Sequence, residues 1–457
     1  MARLFRIRGF TPYLFMVFFN AFVDLGHKIT IQNTIFKVYD GQEQIILTAI
    51  VNALILLPFI LMISPAGFCS DKFPKNIVMR FSAWIVVGLT LLITLFYYLG
   101  WFWPAFAMTF MLALQSAFYS PAKYGYIREL VGKENLAGAN GLVQATTTIA
   151  ILSGMLVFSI MFEGQLAGTA YSDKSSLLIN IAPIGWYLVI FGAVELSLAY
   201  ALPKKHETDK EMQFNWNKYK SGQYLSNNIK VVFSREIIFL SIVGLSVFWA
   251  ISQVVLAAFP AHAKETMGIT DTVIIQGMMA CAGIGIMLGS LIAGRISKTH
   301  IETGLIPVGS IGVALCVLIM PELNNVAAQA INFLGWGMLG GMLIIPLNAL
   351  IQFHAGEDEL GRVLAGSNLI QNSVMLSFLA LTVAFALLGI NSYGLFAILF
   401  IVAVGGSVYT VYKLPQSLIR FMIGNIIGHK YRLEVLGLKN IPESGGVLML
   451  GNHISWL

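Results

Sequence analysis

Long apolar segments follow one another along almost the whole chain, and charged residues rarely interrupt them. Of the 457 residues, 57% are hydrophobic and only 11% are charged, which is less than half of the roughly 25% found in an average soluble domain. A soluble globule of this size cannot hide so much apolar surface. Since a spanning helix needs about 20 apolar residues, the supply suffices for about a dozen spans. The sequence predicts a polytopic all-α membrane protein and excludes disorder and coiled coil.

Twelve transmembrane helices are predicted from these segments and from the Pro and Gly residues that punctuate their ends. They fall at 11–38, 43–66, 76–99, 103–123, 137–162, 179–202, 236–263, 271–297, 303–320, 326–353, 363–388 and 391–414. The N-terminus is basic and leads into a long apolar run without a small-residue cleavage site, which favours an uncleaved first span. The chain has three cysteines, and this odd number in or beside apolar segments predicts no disulfide framework.

The basic residues predict the orientation of these helices. With the N-terminus in the cytoplasm, all but four of the 28 Lys and Arg residues fall in cytoplasmic segments. Lys37, Lys174 and Lys264 lie on the opposite side, and Lys28 lies within the first span. Because positive charge accumulates in cytoplasmic loops, both termini are expected in the cytoplasm.

The chain is expected to consist of two related halves. A six-helix bundle at 1–202 is followed by a cytoplasmic linker at 203–235, a second six-helix bundle at 236–414 and a cytoplasmic segment at 415–457. Three weak matches recur at similar offsets in sequence order, which indicates duplicated halves and a substrate site near the midplane between them. The matched pairs are Pro121 with Pro346, Asn140 with Asn368, and Lys72 with Arg295.

The turn between the second and third predicted helices carries a recognisable pattern. It reads SPAGFCSDKFPKN, and its second-half echo reads GSLIAGRISK. In these features the chain resembles the major facilitator superfamily, although Phe73-Pro74 replaces the expected Gly-Arg. The resemblance implies two pseudo-symmetric six-helix bundles and a gating role for this turn, and an ordinary solvated turn is the alternative. The gating candidates are Gly67, Asp71, Lys72 and Arg295.

A narrower resemblance lies in the fourth helix and the loop after it. Residues 115–144 read QSAFYSPAKYGYIRELVGKENLAGANGLVQ and are similar to the lysophospholipid transporter family. This implies a multi-pass protein of the bacterial inner membrane that flips lysophosphatidylethanolamine-like lipids inward among the membrane lipids. A drug or metabolite exporter working as a proton antiporter is the alternative within the same fold. Whether transport is proton-coupled or facilitated stays open, and facilitated flipping is the preferred expectation.

The last residues of the chain have a different character. Residues 431–457 resemble the opening of a glycerolipid acyltransferase domain, in which a His of an Asn-His-x-x-x-x-Asp motif is the general base. Asn452 and His453 match its first two positions, and the sequence stops one residue before the Asp. The resemblance implies a transporter fused to an acyltransferase that reacylates the imported lipid. A chance dipeptide, or an acyltransferase that uses the helices only as an anchor, are the alternatives.

Charged residues inside the first span predict the substrate site, because ionisable groups in a membrane are costly. Asp24, His27 and Lys28 share one face at spacings of three and four, and Asn20 extends the polar stripe by a turn. Asp24 lies about 20 Å into the helix at 1.5 Å per residue, near the midplane. The alternative is a self-neutralising pair of Asp24 with Lys28.

A zwitterionic head group needs one carboxylate for its ammonium and basic groups for its phosphate. Asp24 is assigned to the ammonium, and Lys28, Lys123 or Arg235 to the phosphate. Lys123 and Arg235 are alternatively anchors at helix ends. Polar residues of the fifth helix are expected to line a cavity, or else to bond neighbouring helices. These are Asn140 and Gln144. No metal, cofactor or nucleic-acid partner is expected.

Overall fold

The computed structural model describes residues 4–132, 134–204, 214–297, 300–356 and 359–430. The expected start of an acyltransferase domain at 431–457, with Asn452 and His453, lies outside these ranges. Helices joined by short connections make up the described chain. They are α1 (Phe10–Val38), α2 (Gly41–Leu61), α3 (Ile63–Lys72), α4 (Lys75–Tyr98), α5 (Phe102–Val131), α6 (Leu136–Leu166), α7 (Lys174–Asn180), α8 (Ile184–Tyr200), α9 (Trp216–Lys220), α10 (Gln223–Phe233), α11 (Glu236–Met267), α12 (Thr272–Ile296), α13 (Leu305–Ile319), α14 (Val326–His354), α15 (Leu360–Leu387), α16 (Ser392–Lys413) and α17 (Pro415–Lys430).

The described helices agree with the predicted all-α membrane architecture. Ten of them are long and apolar enough to cross a membrane, and α7 with α8, joined at a bend of 56°, make an eleventh if the pair is counted as one span. The 30-residue α5 packs against α2 and α4 and corresponds to the predicted helix at 103–123. The apolar length of each segment sets these bounds, since about 20 residues are needed to cross the hydrocarbon layer.

The predicted second helix is broken in the structure. α2 ends at Leu61, and a separate helix, α3, follows from Ile63. Pro65 stands in the first turn of α3, where its missing N–H costs nothing, whereas a continuous helix would need that donor. The residues expected in a turn at Gly67 and Asp71 are therefore helical.

Two bundles of helices pack side by side. In the N-terminal bundle α1 packs against α6 and α8, and α4 packs against α5 and α8. In the C-terminal bundle α14 packs against α12 and α13, and α13 against α16. The bundles meet where α2 contacts α11 and α15, and where α6 contacts α12. Small residues such as Ala49, Ala250 and Ala257 let α2 approach α11 closely.

A seam of glycines brings α12 and α14 into close contact. A Cβ placed on Gly289 would meet the backbone of Met338, and one on Gly337 would meet the backbone of Ala282. The two backbones therefore touch directly, as small residues allow in membranes. Of the glycines in the two sequence patterns, Gly289 allows α12 to approach α14 closely, whereas Gly67 and Gly294 face open space.

The connections outside the bundles also carry helices. Within the expected linker at 203–235, α10 packs on α15 and α11 and buries Val232. Within the expected cytoplasmic segment at 415–457, α17 contacts α13 and α16. Arg420 of α17 pairs with Glu302 at 2.9 Å, which ties this helix to the connection before α13.

Candidate functional site

Asp24 lies near the middle of α1 and faces α5. The hydroxyl of Ser116 donates a hydrogen bond to Oδ2 of Asp24. The other carboxylate oxygen is buried and has no hydrogen-bond partner in the part of the chain that the structure describes. An unpartnered buried polar atom is costly, so this oxygen is a ready acceptor for the donor of a ligand.

A second buried carboxylate stands beside Asp24. Glu195 of α8 is fully buried, and its Oε1 accepts a hydrogen bond of 3.1 Å from the amide of Asn20. Because Asn20 and Asp24 are one turn apart on α1, Glu195 lies close to Asp24. Its Oε2 also lacks a partner among the described residues. From the sequence alone, Glu195 is expected to reach water near the cytoplasmic end of its helix, and the structure instead buries it beside Asp24.

α5 adds donors to the same place. The hydroxyl of Tyr119 and the amide nitrogen of Gln115 are buried and lack partners within the described ranges. Tyr119 lies close enough to Glu195 and Asp24 for electrostatic interaction with both. We call this group the Asp24 cluster. It consists of Asn20, Asp24, Gln115, Ser116, Tyr119 and Glu195.

Two lysines lie near the Asp24 cluster. Lys28 is half-buried one turn along α1, and no ion pair joins it to Asp24 or to any other carboxylate that the structure describes. The self-neutralising pair considered above is therefore not formed. Lys123 of α5 is half-buried and close enough to Asp24 for electrostatic attraction. Its ammonium lies 4.6 Å from the ring of Tyr124 and 6.0 Å from that of Tyr119.

His27 does not join this cluster, in contrast to the sequence interpretation. Its Nδ1 lies 2.8 Å from the hydroxyl of Tyr97, and its Nε2 lies 3.0 Å from the carbonyl oxygen of Ala105. Three residues turn a helix by about 300°, so His27 points about 60° away from Asp24 and into the bundle core. With both ring nitrogens occupied and no exposure, His27 is a core residue.

Arg235 also lies elsewhere. Its guanidinium donates to the carbonyl of His354 and lies 3.8 Å from Glu359. These contacts tie the start of α11 to the connection between α14 and α15. The structure thus gives Arg235 the geometry of an anchor rather than that of a phosphate ligand beside Asp24.

Asn140 and Gln144 are exposed on the first half of α6. Further along the same helix, Leu152 and Leu156 approach Gly283 and Gly277 of α12. The two bundles therefore meet along the second half of α6 and leave the polar residues of its first half uncovered. This arrangement suits a cavity wall better than interhelical hydrogen bonding.

The proposed gating residues form no latch in this conformation. Asp71 and Arg295 are exposed, and Lys72 lies over the rings of Phe68 and Phe73 at 5.5 and 5.9 Å. No ion pair joins any of the three to another residue that the structure describes. The ion pair of this region is instead between Lys75 and Glu129, at 2.6 Å between α4 and α5. A gating role for Gly67, Asp71, Lys72 and Arg295 stays a prediction.

At the opposite end, polar contacts join the two bundles. Lys37 of α1 pairs with Glu163 of α6 at 2.8 Å and donates to the carbonyl of Thr270 at 2.9 Å. Glu163 accepts from the backbone N–H of Thr272, at the start of α12, at 2.7 Å. We call Lys37, Glu163, Thr270 and Thr272 the cross-bundle latch, because they connect the N-terminal bundle to the C-terminal bundle.

A second set of contacts reinforces the cross-bundle latch. Lys264 of α11 pairs with Asp40 at 2.6 Å and donates to the carbonyls of Phe36 and Tyr39 at 2.7 and 3.1 Å. At the other end of the molecule, the ion pairs Lys75–Glu129, Arg235–Glu359 and Lys413–Glu236 each join residues of one bundle. The bundles are thus bound together at the end where α1 finishes.

Comparisons with known proteins agree with this architecture. A family model described as Major Facilitator Superfamily matches residues 13–379. The lysophospholipid transporter LplT of Citrobacter koseri is 30% identical over 363 residues, which is 77% of this chain and 81% of that protein. The transporter of the same name from Photorhabdus laumondii is 26% identical over 381 residues, covering 82% of this chain and 87% of that protein.

Solved transporters share the fold at low sequence identity. A POT family transporter in complex with a thioalcohol-conjugated peptide has a TM-score of 0.65 and 13% identity, covering 90% of this chain and 96% of that one. A D-xylose–proton symporter has a TM-score of 0.64 and 14% identity, covering 88% and 96%.

Proposed function

This chain belongs to the major facilitator superfamily, and from that premise we propose that it is a lysophospholipid transporter of the bacterial inner membrane. The transporter relatives from Citrobacter koseri and Photorhabdus laumondii support this substrate class, since each aligns over more than three quarters of both chains. The proposal is of a flippase that moves lysophosphatidylethanolamine-like lipids from the outer to the inner leaflet.

The Asp24 cluster is the observation that carries the proposal. It presents buried carboxylate oxygens that have no hydrogen-bond partner among the described residues. An ethanolamine ammonium supplies N–H donors for Asp24 and Glu195, while Lys28 and Lys123 supply donors for a phosphate. The cluster and its two lysines thus offer both signs of charge to a zwitterionic head group. In a low-dielectric interior these interactions are stronger than in water.

The cross-bundle latch supports a direction of opening. If the basic segments lie in the cytoplasm, the latched end faces the periplasm. The conformation is then closed toward the periplasm, and Asn140 and Gln144 are exposed on the cytoplasmic half. We propose that this state releases lipid to the inner leaflet, with both termini in the cytoplasm.

A lysophospholipid has a free hydroxyl in place of one ester, so an acyl transfer is the reaction that consumes it. We propose that the acyltransferase resemblance at 431–457 reflects such a partner, in which His453 would be the general base. Reacylation would keep the concentration of the lysolipid in the inner leaflet low. The resulting concentration gradient would favour net inward transport.

Proteoliposomes test the proposed function. Fluorescent lysophosphatidylethanolamine is added to vesicles containing the protein, and the lipid that albumin can no longer extract reports on flipping. Wild-type vesicles should flip the lipid faster than empty vesicles. Asp24→Asn should slow flipping at least about tenfold, since hydrogen bonds to charged groups contribute roughly 1.5–3 kcal/mol. Equal rates for wild-type and empty vesicles would reject the function.

A matched control distinguishes a specific effect at Asp24 from the general effect of removing one negative charge. Glu43 is an exposed carboxylate in the first turn of α2, so Glu43→Gln should leave the flipping rate unchanged. An equal rate for wild type and Asp24→Asn would remove Asp24 from the mechanism. Repeating the assay after collapsing the proton gradient distinguishes facilitated flipping from the proton antiport of the alternative exporter, and we expect no change.

A further inference from the structure

A cavity lies inside the C-terminal bundle, away from the Asp24 cluster. It has a volume of about 380 Å³ and is enclosed by α11, α13, α14 and α16. Small-molecule sites have volumes of roughly 300–1,000 Å³, so this cavity is large enough for a ligand. Its wall is mainly aliphatic. Representative lining residues are Val243, Val247, Ile251, Val313, Leu343 and Leu347.

The cavity is long. Along α11 its lining runs from Glu236 to Ile251, which is about 22 Å at 1.5 Å per residue. This length suits an extended hydrocarbon chain.

Few polar atoms in the wall are available to a ligand. The hydroxyl of Ser241 donates to the carbonyl of Ile237 within its own helix, at 2.8 Å. The hydroxyls of Ser310 and Thr410 bond each other, also at 2.8 Å. Because these groups are already paired, the interior favours an apolar occupant over a polar one.

The mouth of the cavity is charged. Glu236 and Lys413 form an ion pair of 2.9 Å there, with side chains 70% and 40% exposed. An ion pair this exposed contributes little to stability, so each group can exchange its partner at small cost. Lys413 can then bind a phosphate and Glu236 an ammonium, which matches the two charges of a zwitterionic head group.

We propose that this cavity is a second lipid site, which holds the single acyl chain of a lysophospholipid with its head group at Glu236 and Lys413. The mouth lies at the end opposite the cross-bundle latch, so the site receives lipid in the leaflet of delivery. The identity of the lipid rests on the proposed function, whereas the cavity and its charged mouth do not.

Two neighbouring glycines of α16 allow a matched test. Gly406 lines the cavity, and a Cβ added there meets nothing within 4 Å. Gly405 also has open space, is exposed and does not line the cavity. Gly406→Leu therefore fills the cavity, and Gly405→Leu makes the same change outside it.

The measurement is photo-crosslinking in proteoliposomes with lysophosphatidylethanolamine that carries a diazirine in its acyl chain. We expect crosslinks on the α11 and α14 walls of the wild type. Gly406→Leu should reduce them at least about fivefold, since a filled cavity accepts a chain only by overpacking, and Gly405→Leu should retain them. Undiminished crosslinking in Gly406→Leu overturns the proposal.

Competition on the wild-type protein gives a second readout that needs no variant. Unlabelled lysophosphatidylethanolamine should suppress the crosslinks, and diacyl phosphatidylethanolamine at the same concentration should not. Equal suppression by both lipids overturns the assignment to a single chain. Flipping without crosslinks at these walls refutes the cavity site alone. Crosslinks without flipping refute the proposed function alone.

Discussion

Asp24 and His27 are three residues apart on α1 and have opposite environments. Asp24 keeps one buried oxygen without a partner in the described chain, whereas both ring nitrogens of His27 are engaged by Tyr97 and Ala105. Asp24 can therefore still accept a hydrogen bond from a substrate. His27 has no ring nitrogen left for one, because both are already bonded in the core. A rotation of about 60° around one helix therefore separates a candidate ligand residue from a structural one.

Replacing His27 should affect stability rather than substrate binding. His27→Phe keeps the ring volume but removes the hydrogen bonds to the Tyr97 hydroxyl and the Ala105 carbonyl. Each lost hydrogen bond costs roughly 0.5–1.5 kcal/mol, so the melting temperature in detergent should fall. The KM for lysophosphatidylethanolamine should be unchanged. His354→Phe is the control, because His354 is only half-buried and bonds within its own helix. A raised KM with an unchanged melting temperature would instead indicate that His27 contributes to substrate binding.

Part of the site was predictable from the sequence and part was not. Local spacing on α1 predicted that Asn20, Asp24 and Lys28 share a polar face, because helical geometry fixes it. Ser116 of α5 follows Asp24 by 92 residues, and Glu195 of α8 follows Asn20 by 175 residues. Only tertiary packing brings them to Asp24, and no local pattern in the chain encodes that contact.

At the scale of helices, the glycine seam of α12 and α14 fixes how the C-terminal bundle is built. Gly289→Ala would place a methyl group against the backbone of Met338, which cannot move aside as a flexible side chain does. We expect a loss of about 1–3 kcal/mol, which is typical of overpacking, and a lower melting temperature. Gly294→Ala, on the same helix with open space, should be neutral or slightly stabilising. Equal melting temperatures for the two variants would show that the seam is not tightly packed.

α17 is attached to the bundle through Glu302, and this attachment should depend on pH. Burial alone would raise the pKa of Glu302, but hydrogen bonds from Gly304 N–H, His300 and Arg420 outweigh it and lower the pKa. A lowered folded-state pKa stabilises the folded protein above the unfolded value of about 4.3, and this stability is lost as the pH falls through the folded value.

Limited proteolysis of α17 measures that attachment. Cleavage should accelerate as the pH falls below about 4.3, because protonated Glu302 no longer pairs with Arg420. In Glu302→Gln, cleavage should be fast at neutral pH and nearly independent of pH, when an acid-stable protease is used throughout. A wild-type cleavage rate that stays constant across this range would contradict a role for Glu302.

The lengths of the helices were more predictable than their breaks. Bounds such as 326–353 for α14 and 391–414 for α16 agree with the structure within a residue, since apolar length determines them. The break at Met62 was not predicted, because Pro65 is compatible both with a kinked helix and with the first turn of a new one. Hydropathy alone does not distinguish the two.

For the whole molecule, the cross-bundle latch determines which end is closed. Glu163 touches both bundles, through Lys37 on one side and the backbone of Thr272 on the other. Glu163→Gln weakens both contacts and should shift the population toward the state open at this end. A lost charge-assisted contact of about 1.5 kcal/mol corresponds to a change of about tenfold in that equilibrium.

Cysteine labelling reports this shift. Thr48 is 3% exposed on α2 near the latched end. In a background without Cys69, Cys281 and Cys316, Thr48→Cys should react with an impermeant maleimide faster when Glu163→Gln is also present. Arg420→Gln, which removes an ion pair that does not join the two bundles, serves as the control and should leave the rate unchanged. A labelling rate insensitive to Glu163→Gln would mean that the latch does not hold this end closed.

The position of the Asp24 cluster also has a consequence for biosynthesis. α1 is synthesised before α5 and α8, since Ser116 follows Asp24 by 92 residues and Glu195 follows Asn20 by 175 residues. A charged residue at a helix centre costs roughly 2.5–3.5 kcal/mol on insertion, so a newly made α1 bears this cost before its partners exist. Its remaining apolar residues have to offset that cost alone. The polar groups of α1 therefore find their partners only after α5 and α8 have been made.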